Sequence, residues 1–402
     1  MPVSENSGHF FMGIQEMTKH PKDLFNQLGS HEAQLAINMR QCIERELDAV
    51  GFMPFSRFME LSLYHAEFGY YRNGVIKFGR EGDFITAPEV SPLFAACLAN
   101  QCVDVFSTMS SRVVVEFGAG SGRLAADLLH ALKKNSCEVD RYIIVELSAE
   151  LQQRQRSLIA REAPDFLPCV TWCQTLPEQC DAVVIANEVL DAMPVEMFEV
   201  RADLYQVGVQ HRNQTLCWDR RIVAEAPLRE TLEQLNLEVD SRYKSEVNLF
   251  IKPWIKSIAN FLRRGVVLII DYGFPRREYY HPERCEGTLM CHYRHRSFAD
   301  PFIMPGLHDI TAHVDFTAVA EAADEAQLDV LGYTSQAVFL SNCGLDQMLY
   351  APSIRQQYEN AQQVKLLTMP TEMGELFKVM ALGKGYDEPL NGFRHYDQLY
   401  RL

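Results

Sequence analysis

The stretch Glu116-Phe117-Gly118-Ala119-Gly120-Ser121-Gly122 decides the fold of this chain. Its first two residues end the mostly apolar run of residues 112–117, and its last residue begins a helical pattern from Gly122 to Lys133. A buried strand that passes through glycines directly into a helix is typical of the first βα unit of a parallel sheet. Ligands bind at the carboxyl edge of such sheets, and glycines let a ligand approach the backbone closely. We therefore expect a ligand site around this loop.

The alternation of short apolar runs with helical patterns continues after this loop. Alternation of this kind predicts an α/β fold with a Rossmann-like, doubly wound parallel sheet. The predicted strands are Val113–Phe117, Tyr142–Glu146, Cys169–Cys173, Ala182–Asn187 and Gly265–Tyr272, and the predicted helices are Gly122–Lys133 and Ala149–Ile159.

Further elements are expected to be added to this core. Helical periodicity predicts two N-terminal helices, and period-two alternation with a turn at Arg212-Asn213 predicts an inserted β-hairpin. The predicted additions are helices over His31–Val50 and Phe55–Tyr64, a hairpin within 196–225, a helical segment over Ala226–Leu262, and antiparallel edge strands over Leu328–Leu340 and Leu376–Leu382. Residues 1–30 are expected to be loosely structured, and 82–91 to form a loop that leads into a helix.

These elements suggest three parts of the chain. Residues 1–108 form an N-terminal helical cap, and 109–275 form the ligand-binding core with an insertion at about 196–262. Residues 276–402 supply a substrate loop and the closing strands of the sheet.

Composition argues against several classes of function. The formal net charge of −15 opposes binding to nucleic acid, which requires clustered Lys and Arg. The eleven cysteines lack CxxC spacing, so we expect free thiols rather than a zinc site or a disulfide framework. Because no signal, transit or membrane-spanning segment is evident, a cytoplasmic location without membrane insertion is expected.

The spacing and charge of the glycine loop indicate which nucleotide it binds. A dinucleotide fingerprint needs a glycine three positions after the second glycine of the loop, where this chain has Arg123. Glu116 would also repel a pyrophosphate. S-adenosylmethionine, by contrast, carries a sulfonium and an ammonium and no phosphate, so a carboxylate beside the loop favours it. The loop with Glu116, Gly118, Gly120 and Gly122 therefore predicts an S-adenosylmethionine site rather than a nicotinamide site.

A second acidic residue supports this prediction. Glu146 lies at the expected tip of the second strand, where a carboxylate can accept hydrogen bonds from both ribose hydroxyls. The strand that ends at Asn187 should line the same edge of the sheet, together with Glu188 and Asp191.

Several long motifs, in order along the chain, resemble the MidA family of methyltransferases. The resemblance covers roughly residues 60–385, and it departs from the family pattern at Ala66 and Ala95 without loss of a chemical group. The motifs are Tyr64–Tyr71 (YHAEFGYY), Gly82–Ser91 (GDFITAPEVS), Glu116–Gly122, Val145–Ser148 (VELS), Ala186–Pro194 (ANEVLDAMP), Asp271–Gly273 (DYG) and Gly306–Phe316 (GLHDITAHVDF).

The resemblance implies a class I methyltransferase fold and, by analogy with a mitochondrial complex I assembly-factor relative, methylation of a protein arginine. The predicted cofactor-binding residues are Glu116, Gly118, Gly120, Gly122, Glu146, Leu147, Asn187, Thr86 and Pro88. Glu188 and Asp191 are the predicted catalytic pair, since two carboxylates can hold a guanidinium bidentately, with Glu89 in reserve. His313 is predicted to contact the acceptor or to accept a proton. No metal is expected, and a homodimer is compatible with the sequence.

Three alternatives stay open at this point. The chain could be an assembly factor that binds the cofactor without catalysis, and its methyl acceptor could be a small molecule rather than a protein. A nicotinamide enzyme is a third alternative, which the positions of Glu116 and Arg123 disfavour.

Overall fold

A computed structural model describes residues 25, 27–74, 86–237, 242–350 and 352–402. The prediction for residues 1–24 and the first four residues of the predicted 82–91 loop lie outside the described residues.

The strands are numbered in chain order. They are β1 (Met53–Pro54), β2 (Val113–Phe117), β3 (Arg141–Val145), β4 (Val170–Cys173), β5 (Cys180–Asn187), β6 (Glu196–Val200), β7 (Leu204–Arg212), β8 (Thr215–Ile222), β9 (Tyr243–Val247), β10 (Leu262–Phe274), β11 (Met290–Tyr293), β12 (Arg296–Phe298), β13 (Asp309–Thr311), β14 (Val314–Asp315), β15 (Asp329–Ser335) and β16 (Phe377–Lys384).

The α-helices are numbered in the same way, and short 3₁₀ turns cover 164–169, 345–349, 391–393 and 399–401. The α-helices are α1 (Ser30–Val50), α2 (Phe55–Tyr64), α3 (Ala87–Val90), α4 (Pro92–Phe106), α5 (Arg123–Lys134), α6 (Ala149–Glu162), α7 (Ala226–Leu235), α8 (Ile251–Phe261), α9 (Arg276–Tyr279), α10 (Phe316–Glu325), α11 (Gln336–Asn342) and α12 (Ile354–Thr368).

The central sheet has the strand order β15-β16-β10-β5-β2-β3-β4, and β14 pairs with the end of β10. The strands β4, β3, β2, β5 and β10 run parallel, whereas β16 is antiparallel to both of its neighbours. Strands such as β2 are buried along their whole length because helices cover both faces of the sheet. The predicted α/β, Rossmann-like, doubly wound fold is confirmed.

Two apolar clusters fill the two faces of this sheet. One packs α4, α5 and α11 against the sheet, and the other packs α8 and α10 against the opposite face. Because both faces are covered, the carboxyl edge is where a ligand can reach the ends of the parallel strands.

The predicted insertion is larger than a hairpin. β7 and β8 do form the predicted hairpin, and its turn residues Asn213 and Gln214 both have positive φ, as a tight two-residue turn requires. The hairpin belongs to a five-stranded antiparallel sheet in which β6 lies between β7 and β9, with β1 at the other side of β7. A further small sheet has the order β12-β11-β13.

A third apolar cluster, which we call the accessory core, lies outside the central sheet. Three separate parts of the chain build it, namely residues 35–70, 195–216 and 291–312. The predicted helices α1 and α2 are confirmed and supply much of it, with Met39 and Phe58 fully buried. Within the described residues, no helix combines the length and the apolar character that crossing a bilayer would require.

Two predicted elements are wrong in part. The segment predicted as a helix over Ala226–Leu262 contains the strand β9, because residues 243–247 pair with β6 along their length. The predicted strand Leu328–Leu340 ends at Ser335, and its second half is the helix α11, in which Phe339 and Leu340 are buried. Short apolar runs fit either a strand or a buried helical turn, so periodicity did not separate them.

Candidate cofactor and acceptor site

A cavity of about 780 Å³ lies at the carboxyl edge of the central sheet. Its lining brings together ten of the twelve predicted site residues, although they come from four separate parts of the sequence. These ten are Thr86, Pro88, Glu116, Gly118, Gly120, Glu146, Leu147, Asn187, Glu188 and Asp191. The other two, Gly122 and His313, are not among its described lining residues.

The glycine loop forms one wall of the cavity. Gly118 and Gly120 have φ values of 58° and 51°, a left-handed conformation that favours glycine. The N–H of Gly118 donates to the carbonyl of Val145 at 3.0 Å, which holds the loop against the neighbouring strand β3. These two glycines leave the loop backbone open to a ligand.

Gly122 has a different role in the structure. It lies at the start of α5 with a φ of 88°, and a Cβ there would approach the Gln155 backbone to 3.1 Å. The missing side chain therefore lets α6 pack closely against the loop, so Gly122 shapes the site from behind.

The carboxylate of Glu146 is held by two hydrogen bonds. It accepts hydrogen bonds from the N–H of Ser148 at 2.9 Å and from Nε2 of Gln155 at 3.1 Å. Gln155 also donates to the carbonyl of Gly120 at 3.0 Å and accepts from the Trp172 indole at 3.0 Å. This network orients Glu146 beside the glycine loop. Gln155 is not among the residues predicted from the sequence, where its only signal is its position on the inner face of α6.

Glu116 is a buried carboxyl at the end of β2. Its Oε2 accepts a hydrogen bond from the hydroxyl of Tyr142 at 2.7 Å. Burial raises the pKa of Glu116 to about 7, although the hydrogen bond from Tyr142 lowers it and the charge of Glu146 adds to the rise. A positively charged ligand would stabilise the ionised form of this group.

The segment after β5 places two more carboxyl groups in the cavity. Glu188 has a φ of 52°, and its N–H donates to the carbonyl of Ile270 at 2.9 Å. Asn187 donates to Oε1 of Glu188 at 3.2 Å. Burial first, and then the charge of Asp191, raise the pKa of Glu188 to about 8. Left-handed backbone at a non-glycine residue is uncommon and is often found at functional sites.

Asp271, at the end of β10, holds this segment in place. Its Oδ2 accepts hydrogen bonds from the N–H groups of Val189, Leu190 and Asp191 at 3.2, 2.9 and 3.3 Å. The Tyr272 hydroxyl donates to Oδ2 of Asp191 at 2.5 Å. The pKa of Asp191 is raised to about 6 by burial, against the effect of Tyr272. Asp271 lies in the motif Asp271–Gly273, but it is not among the predicted site residues.

Two buried oxygen atoms in the cavity lining have no hydrogen-bond donor among the described residues. They are Oδ1 of Asn187 and Oδ1 of Asp191. Buried acceptors are nearly always paired, so a ligand with N–H donors is the natural partner for them.

The opposite wall of the cavity comes from the accessory core. The Tyr64 hydroxyl donates to the carbonyl of Ala192 at 2.8 Å, and the Tyr71 hydroxyl donates to Oδ1 of Asp309 at 2.9 Å. All three side chains, those of Tyr64, Tyr71 and Asp309, line the cavity. They lie in the motifs 64–71 and 306–316, which were the available signal for them.

His313 lies outside the cavity lining. Its ring packs edge-on against Tyr272 and Phe274, and its Nδ1 has no hydrogen-bond partner among the described residues. Burial lowers the pKa of His313 to about 3. The predicted contact of His313 with an acceptor stays a prediction.

A nearby histidine, His308, is hydrogen-bonded within the protein. The ring nitrogens of His308 lie 3.1 and 3.2 Å from the carbonyl oxygens of Asp309 and Pro301. Over the described ranges, no group of three or more His, Cys, Asp or Glu residues is arranged to hold a metal ion.

Acidic residues predominate in the lining of the cavity. The described residues that line it include seven carboxyl groups and two arginines. The carboxyl groups are Glu60, Glu89, Glu116, Glu146, Glu188, Asp191 and Asp309, and the arginines are Arg72 and Arg123. Such a cavity suits a ligand with positive charge, ribose hydroxyls and N–H donors, and S-adenosylmethionine has all three.

Comparison with known proteins identifies the family. The sequence model of a family described as "Putative S-adenosyl-L-methionine-dependent methyltransferase" matches residues 97–334. A crystal structure of a Burkholderia thailandensis protein bound to S-adenosyl-homocysteine superposes with a TM-score of 0.90 at 42% identity, covering 93% of this chain and 99% of that one.

Curated relatives are more distant in sequence. The mitochondrial protein arginine methyltransferase NDUFAF7 homolog of Drosophila melanogaster is 28% identical over 84% of this chain and 83% of its own length. The mitochondrial protein arginine methyltransferase NDUFAF7 of Danio rerio is 26% identical over 90% of both chains. The glycine loop, the acidic cavity and these matches agree, and the chain belongs to the MidA family of S-adenosylmethionine-dependent methyltransferases.

Proposed function

We propose that this methyltransferase transfers the methyl group to the guanidinium of an arginine side chain in a protein. The observation that carries the proposal is the pair Glu188 and Asp191, two carboxyl groups in the lining of one cavity, of which Asp191 is buried. Oδ1 of Asp191 has no donor among the described residues. A guanidinium offers N–H donors in a planar fork that matches carboxylates.

The cofactor-binding roles are part of the same proposal. Glu146, oriented by Ser148 and Gln155, would accept the ribose hydroxyls. The backbone of Gly118 and Gly120 would lie against the cofactor, while Glu116 would face its positive charge. Thr86, Pro88, Leu147 and Asn187 would complete the contacts. When bound, the cofactor supplies an electrophilic methyl group.

The residues around the acceptor would then provide orientation and a proton acceptor. A guanidinium is a poor nucleophile because its nitrogen lone pairs are delocalised, so two carboxylates that bind the other nitrogens would keep charge away from the reacting one. Methylation of a guanidinium releases one proton. Burial raises the pKa of Glu188 to about 8, a bound guanidinium would favour its ionised form, and the resulting carboxylate would accept that proton.

The relatives support the nature of the acceptor. Two of them carry the name protein arginine methyltransferase and align over most of their length. We extend that acceptor to this chain as a proposal, together with a protein partner. All eleven cysteines are free, as thiols are in reducing compartments. The predicted cytoplasmic location stays a prediction.

Labelling of cell extract tests the acceptor. Extract from a strain that lacks the protein is incubated with purified enzyme and tritiated S-adenosylmethionine, and labelled protein is hydrolysed and separated into amino acids. We expect label in methylarginine. The Glu188→Gln variant should lose at least about tenfold to a hundredfold of the rate, the worth of one charge-assisted hydrogen bond.

The control variant is Glu178→Gln, which changes an exposed carboxylate outside the cavity and should label like wild type. Label found in small molecules or RNA and not in protein would contradict the proposal. So would wild-type rescue of a deletion strain by a Glu188→Gln variant that has no transferase activity, because an assembly factor without catalysis would behave in this way.

A further inference from the structure

Arg72 is a cation in the acidic cavity whose side chain has no hydrogen-bond partner among the described residues. Its guanidinium lines the cavity, and its Nε atom is buried with no hydrogen-bond acceptor among the described residues. No described carboxylate lies within ion-pair distance of it, although its charge partly offsets the rise that burial causes in the pKa of Glu146. A buried Nε atom without an acceptor is uncommon, which suggests that a ligand supplies one.

The backbone around Arg72 is fixed on both sides. The N–H of Arg72 donates to the carbonyl of Gly69 at 2.8 Å. Its neighbours are held by side-chain bonds, since Tyr71 donates to Asp309 at 2.9 Å and Asn73 donates to the carbonyl of Gly306 at 2.5 Å. The guanidinium is therefore presented to the cavity from an anchored segment of the accessory core.

The other arginine of the cavity is already occupied. Arg123 forms an ion pair with Glu162 through both terminal nitrogens and lies 3.6 Å from Asp127. Of the two arginines among the described lining residues, Arg72 is therefore the one whose hydrogen-bonding capacity is unused.

The start of α5 is also unsuited to an anion. The Arg123 N–H at this end donates to Oγ of Ser121 at 3.2 Å, and that hydroxyl in turn donates to the carboxylate of Glu89. A carboxylate beside a helix start would repel a second anion there. The favourable charge of the helix dipole is thus already used.

We propose that Arg72 binds the α-carboxylate of S-adenosylmethionine. This carboxylate is the one anionic group of the cofactor, and in a cavity with seven carboxyl groups it needs a positive partner. A guanidinium can bind a carboxylate through two parallel hydrogen bonds. Arg72 is then a positioning residue, because it fixes the amino-acid end of the cofactor while Glu146 faces the ribose.

Binding of two ligands that differ only in this group tests the proposal. Calorimetry measures the affinity of wild type for S-adenosylmethionine and for decarboxylated S-adenosylmethionine, in which a hydrogen replaces the carboxylate. We expect wild type to prefer the natural cofactor by roughly tenfold to a hundredfold. In Arg72→Gln that preference should fall to about one or below.

The ratio of the two affinities separates this role from a general effect on the site. A change in Glu146 or in the fold would affect both ligands equally, since both carry the ribose and the ammonium. Arg72→Lys keeps the positive charge without the planar guanidinium, so it should show an intermediate ratio of the two affinities. This variant is a second test of the same contact.

Arg123→Gln is the matched control, because it removes the other arginine of the cavity, and it should keep the wild-type preference. A preference that is unchanged in Arg72→Gln, or that is absent in wild type, would overturn the proposal. The proposed arginine acceptor is not involved in this measurement, so the two proposals stand or fall separately.

Discussion

At the scale of single residues, the site is built from carboxyl groups that burial keeps away from water. Glu116 is 2% exposed, and one hydroxyl, that of Tyr142, donates to it at 2.7 Å. Its pKa is raised to about 7, so the folded chain binds this proton more tightly than the unfolded chain does. The stability that protonated Glu116 contributes is therefore complete below its ordinary pKa of 4.5, and it is lost as the pH rises through 7.

The variant Glu116→Gln tests how much folding stability is lost when Glu116 ionises. The amide keeps the shape of the side chain and an oxygen for Tyr142, but it cannot ionise. Relative to wild type without cofactor, we expect the variant to gain about 2–3 kcal/mol of unfolding free energy between pH 5 and pH 8. Urea denaturation at a series of pH values measures it.

Glu138→Gln, at an exposed position, is the control and should show no such trend. A difference between Glu116→Gln and wild type that is the same at every pH would contradict this account. We also expect the variant to bind the cofactor more weakly, because the cofactor's positive charge loses its neighbour.

At the scale of elements, the decisive unit is the turn that follows β5. Asp271 accepts hydrogen bonds from three successive N–H groups of this turn, from Val189 to Asp191. This contact between the ends of β5 and β10 keeps Glu188 in its left-handed conformation. Asp271 is fully buried, and its pKa lies well above the usual range because of burial and the charges of Asp191 and Glu188.

Asp271→Ala should therefore damage both stability and activity. It leaves three backbone N–H groups without their acceptor, and each loss costs about 1–3 kcal/mol. We expect a total loss of roughly 3 kcal/mol or more in unfolding free energy and a large fall in kcat. Thermal denaturation and a methylation assay measure the two effects.

The control for Asp271→Ala is Asp329→Ala, an exposed position at the start of β15, which should leave both quantities near wild type. Asp271→Asn keeps one acceptor oxygen and should lie between Ala and wild type. Wild-type kcat in Asp271→Ala would show that the turn holds its shape without Asp271.

The strands also show how much of the fold could be predicted from the sequence. The strands β2, β3 and β5 are continuous apolar runs, and their positions were predicted to within two residues. β9 was missed because its sequence, Tyr-Lys-Ser-Glu-Val, has no regular alternation. Its buried Glu246 is stabilised by the N–H groups of Thr288 and Leu289, about forty positions away, which local periodicity cannot reveal.

Prediction of the site had the same limit. Residues beside the glycine loop could be predicted, because a strand, a turn and a helix define a sheet edge locally. Tyr71, Arg72 and Asp309 reach the cavity through the accessory core. Their proximity depends on contacts between distant segments, and the motifs that contain them did not indicate which side chains face inward.

At the scale of the whole molecule, the central sheet and the accessory core are separate apolar clusters. Each core buries a cysteine that can report on local opening. Cys291 is fully buried in the accessory core, Cys97 is fully buried beside the central sheet, and Cys285 is exposed. Thiol labelling can follow the two cores independently.

Met39→Ala should open the accessory core selectively. Met39 is fully buried in α1, and a buried Met→Ala change costs about 2–5 kcal/mol. With labelled peptides identified by mass spectrometry, we expect Cys291 to react at least about tenfold faster than in wild type, while Cys97 stays protected. Cys285 should react at once in both proteins.

Leu129→Ala, in the apolar cluster beside the central sheet, is the matched variant and should expose Cys97. Equal acceleration of Cys97 and Cys291 in Met39→Ala would mean that the two cores open together. In that case the accessory core would not be an independent unit of stability.

The position of the cavity between the two cores has a consequence for how fast the protein is degraded in the cell. One wall carries the glycine loop and the other carries Tyr64, Tyr71 and Asp309, so a ligand in the cavity contacts both cores at once. Any partial opening that separates the walls must first release that ligand, and its free energy of binding adds to the barrier against opening. The lifetime of this chain against proteases should then rise with the supply of methyl donor, so that the protein is retained when its cofactor is abundant.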